Sequence, residues 1–119
     1  MPAYSGKAYT SVNGNVPYFS AAELTTQSFE TYSDLDSLGR YGVTYACIGK
    51  DLMPTEERGS IGMVKPTGWH TVRYDDLVDG KYLYNRCHLI GYQLTGENAN
   101  TKNLITGTRY LNIEGMLPF

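Results

Sequence analysis

The sequence predicts one domain of the α+β class, because two strand-like segments are followed by a helix-like segment within 119 residues. Residues 41–48 and 82–92 are rich in the β-branched and aromatic residues that favour strands. Residues 106–115 form the best helix candidate of the second half, with Gly115 and Pro118 placed where helices commonly end. A chain of this length is expected to bury about two-thirds of its unfolded surface in a single core.

The first part of the chain, residues 1–40, predicts an N-terminal arm and a short helix. Ser20 and Glu23 have the spacing of a capping box, which predicts the start of this helix. The second part, residues 41–119, is expected to hold the core of the single domain. Its segment 51–59 is polar and contains Pro54, which predicts a surface loop.

Three further expectations concern the second half. Residues 69–74 predict another strand or an extended edge, and residues 95–102 predict a loop rich in turn-forming residues. In the helix candidate, Tyr110 and Leu111 are expected to face inward, whereas Asn112 lies on a different stripe from Leu111. The order is therefore strand, strand, helix, with His88 on a strand and Asn112 on the helix.

Composition fits a folded protein, with 41% apolar and 18% charged residues. The net charge of −2 counts against a protein that binds DNA stoichiometrically more than against an enzyme, which needs only a local positive site. The 11 tyrosines suit small sheets and ligand-facing grooves, and packing around a sheet accounts for most of them.

Two cysteines, Cys47 and Cys87, allow one disulfide, but two separate buried thiols are the favoured interpretation. The sequence contains no stretch with the length of a transmembrane helix and no signal peptide, so no membrane association is expected.

The most informative segment holds Arg86 and His88, and Asn112 follows 24 residues after the histidine. Imidazole titrates near neutrality and can take a proton from a water molecule that attacks phosphorus. Arg86 lies two residues away, so on a strand both side chains share one face and can address the same phosphate. The amide oxygen of Asn112 suits magnesium, which takes few protein ligands. This combination predicts a metal-assisted phosphodiesterase.

Each residue also has a purely structural explanation. A lone histidine is more often a hydrogen-bonded core or edge residue, and a lone asparagine is more often a helix-surface amide. The coincidence of the three residues outweighs that preference for His88. The second histidine, His70, is interpreted as structural or exposed, and Arg58 and Arg73 are weaker candidates for phosphate contacts.

The segment YNRCHLIGYQLTGENANTKNLITGTRYLN resembles the core of the DNA/RNA non-specific endonuclease family, the ββα-metal or His-Me finger nucleases, in the branch of secreted Gram-positive DNases. The resemblance is specific over residues 82–117. It implies an antiparallel sheet whose strand pair and helix hold one divalent cation. By this resemblance His88 is the general base, Asn112 the metal ligand and Arg86 the arginine that contacts phosphate.

The resemblance carries further implications. Asn103 falls on another family asparagine and supports the site, and Arg109 and Arg73 are further substrate or support candidates. The implied reaction is magnesium-dependent hydrolysis of DNA, with RNA as a second substrate, to 5′-phosphate ends, and Mn²⁺ is an alternative metal. Secretion and an inhibitor or immunity protein as partner are also expected.

Three departures from the family pattern stand out. Asn85 replaces the common aspartate, and Cys87 replaces the common glycine. The chain ends at Phe119, before the position of a family acidic residue, so the C-terminal part of the family domain is expected to be missing. Self-association through this end is therefore a secondary expectation. The alternatives are an inactive fragment, a nucleic-acid-binding or interaction module of the same fold, and a tyrosine-rich carbohydrate-binding domain.

Overall fold

Two separate two-stranded antiparallel sheets form the framework of the protein. The computed structural model describes residues 2–77 and 80–119. The first sheet pairs β1 (Phe29–Tyr32) with β2 (Thr44–Cys47), and the second pairs β3 (Tyr84–His88) with β4 (Leu104–Thr108). One turn of 3-10 helix lies at Asn13–Asn15, a short helix α1 at Tyr92–Thr95 and a C-terminal helix α2 at Leu111–Met116. This is the predicted α+β class, and its β3–β4–α2 order agrees with a ββα-metal motif.

The β3–β4 pair fixes the position of the histidine. In its register Arg86 lies opposite Thr106, and His88 lies opposite Leu104. Because side chains alternate along a strand, Arg86 and His88 project from the same face of the sheet. The pair continues past the end of β3, where the Leu89 N–H donates to the Asn103 carbonyl at 2.9 Å.

The buried amide of Asn103 locks the chain that follows His88. Its Oδ1 accepts from the Ile90 N–H at 2.8 Å, and its Nδ2 donates to the Ile90 carbonyl at 2.9 Å. A side chain therefore takes the place of a paired strand residue, which satisfies both backbone groups of Ile90 where the regular ladder has ended. Asn103 is itself fully buried.

Helix α2 follows β4 almost directly, and this brings Asn112 back beside β3. Its backbone has the wide hydrogen bonding of a π-helix, in which the Leu117 N–H donates to the Asn112 carbonyl at 3.1 Å. Thr108 assists the turn, because its hydroxyl accepts from the Leu111 N–H at 3.0 Å. Such π segments are rare and are often found at functional sites.

The core is smaller than the chain length predicts. Among the described residues, the buried apolar side chains are Val64, Pro66, Cys87 and Leu104. The accessible surface is 8820 Å², whereas a compact protein of this mass has about 6,500 Å². The chain therefore buries less of its surface than the two-thirds expected from its length.

The strands differ from their sequence-predicted extents. The candidates 41–48 and 82–92 are each about twice as long as β2 and β3, because backbone pairing stops where the partner strand turns away. Residues 69–74 form no regular strand, but the end of this segment is an extended edge. Arg73 forms an isolated bridge with Tyr82, and the Tyr74 N–H donates to the Lys81 carbonyl at 2.7 Å. Strand β1 was not predicted, since polar residues flank its short apolar part. Its Tyr32 hydroxyl lies 3.2 Å from the Thr95 hydroxyl, which links β1 to α1.

Both helix predictions need correction. Residues 106–108 of the expected second helix are strand, because their backbone pairs with residues 84–86 of β3. Tyr110 and Leu111 do not face inward, and their exposed fractions are 61% and 42%. At Ser20 there is a turn but no helix. The Ser20 N–H and hydroxyl both donate to Glu23, so the capping-box contacts form without a helix behind them.

The two cysteines are free thiols, as favoured from the sequence, but Cys47 is not buried as expected. Cys87 is fully buried on β3, and its burial raises the pKa of the thiol to about 11. Cys47 is partly exposed on β2, where its Sγ lies 3.2 Å from the Thr25 carbonyl. None of the helices in the described ranges has the length and apolar character that a bilayer crossing needs.

We expect Asn103→Ala to lower the free energy of unfolding by about 2–4 kcal/mol, because it leaves the Ile90 N–H and carbonyl without partners in a buried place. Urea denaturation followed by circular dichroism measures the change. Gln27→Ala removes an exposed amide and is the matched control, with an expected change within about 0.5 kcal/mol. Equal stability of the two variants would contradict the structural role of Asn103.

We expect iodoacetamide to modify Cys47 before Cys87 at pH 8, because the thiolate is the reactive form and burial disfavours it at Cys87. Peptide mass spectrometry of the native and urea-unfolded protein measures the order. Both thiols should react at similar rates after unfolding. Faster labelling of Cys87 in the native protein would show that β3 is not buried as described.

Candidate active site

His88 lies at the end of β3 with both ring nitrogens in defined contacts. Its Nε2 is 2.9 Å from the Asn98 carbonyl oxygen. A carbonyl can only accept, so Nε2 carries the hydrogen, and in neutral imidazole Nδ1 then holds the lone pair. Arg58 Nη2 lies 3.5 Å from Nδ1, which agrees with a donor facing an acceptor. The atom of His88 that can take a proton is therefore Nδ1.

The surroundings keep this imidazole neutral. Partial burial lowers the pKa of His88 from its ordinary value, and the charge of Arg58 lowers it further. Hydrogen bonds to the backbone of Asn98 and Glu97 act in the opposite direction. The net effect is a lowered pKa, so the base form of His88 dominates at neutral pH.

Two clefts meet beside the histidine, and three residues line both of them: Arg58, Arg86 and Asn112. The first cleft has a volume of about 520 Å³ and contains Trp69 and Tyr82 among its lining residues. The second has a volume of about 310 Å³ and contains His88. Among the described residues neither lining includes an aspartate or glutamate, so the charged side chains given for both linings are positive.

Arg86 is held before any substrate arrives. Its Nε donates to the Val64 carbonyl, and its Nη2 donates to the Gly62 carbonyl at 2.8 Å. Its Cζ lies 3.7 Å from the centroid of the Trp69 ring, a cation–π contact. Among the residues that the structure describes, Nη1 has no hydrogen-bond partner, so this nitrogen is available to an anion in the cleft.

Asn112 is half-buried at the start of α2 and supplies the one amide that both clefts share with the two arginines. Within the described ranges no three His, Cys, Asp or Glu residues come together as a metal cluster. A hard cation that keeps most of its waters and takes one neutral oxygen from the protein fits this donor set. A cation that requires several carboxylates does not.

The remaining predicted site residues lie outside these clefts. Asn103 lines neither cleft, and its side chain holds the backbone of Ile90, as described above. Arg109 lines a third cleft with Leu77 and Glu114, and its N–H donates to the Leu83 carbonyl at 2.8 Å. Arg73 is exposed and forms an ion pair of 2.9 Å with Asp75. The structure therefore brings Arg86, His88 and Asn112 together but places Arg109 and Arg73 elsewhere.

The two departures inside the motif have structural explanations. Cys87 fits because Gly107 lies against it on β4, where a β-carbon would stand 2.8 Å from the sulfur. Asn85 lines the first cleft, where an amide leaves the positive charge of the arginines undiminished. The exposed His70 lines neither cleft, as expected for a surface histidine.

Sequence reasoning gave too little weight to Arg58 and did not single out Asn98 or Trp69. Arg58 lies 30 residues before His88 in an irregular loop, so no strand or helix spacing connects the two. Asn98 acts through its backbone carbonyl, which every residue type carries. Trp69 offered one signal, as the single tryptophan of the chain.

Two comparisons with known proteins give matches, one for the family and one for the fold. A model of the DNA/RNA non-specific endonuclease family matches residues 19–119. Among solved structures, NucA from Streptococcus agalactiae with magnesium ion bound superposes with a TM-score of 0.67 and 22% identity. The match covers 84% of this chain and 47% of that chain, so this protein spans about half the length of NucA. No curated protein matches the chain. Since the family match extends over most of its length, the chain belongs to the DNA/RNA non-specific endonuclease family.

Proposed function

We propose that the protein is a magnesium-dependent endonuclease that hydrolyses phosphodiester bonds of DNA, and also of RNA, without sequence preference. The observation that carries this proposal is the orientation of His88. Its Nε2 is held by the Asn98 carbonyl, and its Nδ1 faces the side where Arg58 lies. Family membership and the fold shared with NucA support the same activity.

His88 acts as the general base. Its Nδ1 accepts a proton from the water that attacks phosphorus, and the ring becomes an imidazolium. The Nε2–H bond to the Asn98 carbonyl holds the ring plane and stabilises the positive charge that develops. The 5′-phosphate product follows if the 3′-oxygen leaves in line with this attack.

The two arginines stabilise the charge on the phosphate. Arg58 is exposed and lines both clefts, so it can reach a phosphate next to the base. Arg86 presents Nη1 from a fixed position, which lowers the cost of ordering its side chain on binding. Because the groups read the phosphate and not the base edges, sequence preference is weak.

Asn112 is the proposed magnesium ligand. When bound, Mg²⁺ supplies Lewis-acid stabilisation of the phosphate and leaving oxygens. A single neutral protein ligand binds this ion weakly, so the phosphate of the substrate has to complete the site. NucA was solved with magnesium bound, which supports this metal over Mn²⁺. Secretion, an inhibitor protein and self-association stay predictions from the resemblance.

We expect His88→Ala to lower the rate of plasmid DNA cleavage by about 100- to 10,000-fold, because no other group replaces its proton transfer. Asn112→Ala should lower the rate of plasmid cleavage, and a higher Mg²⁺ concentration should restore part of this rate. EDTA should stop the wild-type reaction. Supercoiled plasmid nicking followed on agarose gels measures these effects. Full-strength cleavage by the His88→Ala protein would contradict the proposal. Binding of DNA by the wild-type protein without any cleavage would instead support a binding module.

We expect kcat/KM to rise with pH through a midpoint below about 6.5, because the neutral imidazole is the base and its pKa is lowered. Activity is then lost as the pH falls through this midpoint and His88 becomes protonated. Arg58→Ala should move the midpoint upward, since it removes one cause of the lowered pKa. Arg73→Ala makes the same change in net charge outside both clefts and should leave the midpoint in place. An equal shift in both variants would refute a local effect of Arg58.

A further inference from the structure

The first cleft has a composition that phosphate binding does not explain. Besides the arginines and Asn112, its lining includes three aromatic residues, Trp69, Tyr82 and Tyr84. A phosphate needs cations and donors but no aromatic rings. The volume of about 520 Å³ lies in the range of ligand-binding sites.

We propose that this cleft is a stacking subsite for one unpaired nucleobase of the substrate strand. The inference rests on the proposed function. It adds a preference for an unpaired base of any type at one nucleotide position. Every base has a π-face, so aromatic side chains hold bases without reading their sequence. In a duplex these faces are covered by neighbouring base pairs, and a base has to leave the stack before a side chain can contact its face.

The position of the cleft favours a base over other flat ligands. Arg86 and Arg58 line both this cleft and the one that contains His88. A ligand that fills the aromatic cleft therefore lies next to the cations proposed to hold the scissile phosphate. A nucleotide provides both parts in one molecule, with its phosphate on the arginines and its base among the rings. A neutral sugar would use the rings but not the two charges.

The stacking surface is rigid before binding. The Arg86 guanidinium lies over Trp69, and the carbonyls of Gly62 and Val64 hold it there. Bases stack on guanidinium planes as well as on aromatic rings. Tyr82 adds a ring with an exposed fraction of 48% at the same cleft. Because this surface is already ordered, little of the binding free energy is lost in ordering side chains.

Intrinsic fluorescence tests this directly, because Trp69 is the single tryptophan. The His88→Ala protein in EDTA is titrated with short oligothymidylate, with an abasic strand of equal length, and with the corresponding duplex. We expect saturable quenching by oligothymidylate, little change with the abasic strand and a weaker response to the duplex. Equal quenching by the abasic strand would overturn the proposal. So would unchanged fluorescence at strand concentrations where the anisotropy of a labelled oligothymidylate shows binding.

Kinetics provide the second test. Tyr82→Ala should raise KM for single-stranded DNA by roughly tenfold and leave kcat nearly unchanged, since it removes ring contact but no reacting group. Trp69→Phe keeps an aromatic ring and should have a smaller effect. Tyr74→Ala is the matched control, because Tyr74 is 44% exposed and lies outside both clefts. Equal effects of Tyr82→Ala and Tyr74→Ala would overturn the subsite.

The experiments can refute either proposal without refuting the other. If the wild-type protein does not cleave DNA but the fluorescence titration distinguishes base from abasic strand, the hydrolytic function is wrong and the stacking subsite stands. If cleavage depends on His88 but the titration and the KM values do not distinguish the strands, the subsite is wrong and the nuclease function stands.

Discussion

The pairing of β3 with β4 is the constraint on which the rest of the site depends. It sets His88 opposite Leu104 and leads directly from β4 into the helix that carries Asn112. Asn103 extends this pairing past the regular ladder by bonding both backbone groups of Ile90. Because few apolar side chains of the described residues are fully buried, such polar contacts help to fix the positions of His88 and Asn112. His88 and Asn112 are thus connected through the β3–β4 pair, although 24 residues separate them in sequence.

The positive charge of the site implies that the proposed metal ion binds well only when the substrate phosphate is also present. In the part of the chain that the structure describes, two arginines and no carboxylate line the clefts around His88. In the proposed mechanism a divalent cation would meet repulsion and one neutral ligand in the free protein, whereas a phosphodiester would bring the missing negative charge. Metal and substrate should consequently bind cooperatively, each making the site more favourable for the other. Burial is the main cause of the lowered pKa of His88, and the charge of Arg58 lowers it further.

The sequence predicted strand β3 because its signals are local, whereas strand β4 was not predicted and part of it was assigned to the second helix. Alternation along a strand places Arg86 and His88 on one face, and the β3–β4 pair confirms that both lie on one strand. The start of the second helix was misplaced, since Thr106 and Gly107 have weak local preferences and the partner strand determines their conformation. Arg58 and the Asn98 carbonyl lay beyond prediction, because irregular loops bring them to the imidazole and no periodic spacing describes such loops.

Arg86 connects the two clefts, and its fixation has a consequence for both. The carbonyls of Gly62 and Val64 take two of its nitrogens, and Trp69 covers one face of the guanidinium. The side chain therefore cannot follow a phosphate as a flexible lysine would, and the substrate has to meet Nη1 where it stands. In the two proposals, a strand positioned by that contact would also have its neighbouring base placed toward the aromatic lining. The backbone carbonyls of Gly62 and Val64 would then help to set the path of the substrate, so that changes in residues 62–64 would alter substrate binding although none of their side chains carries charge.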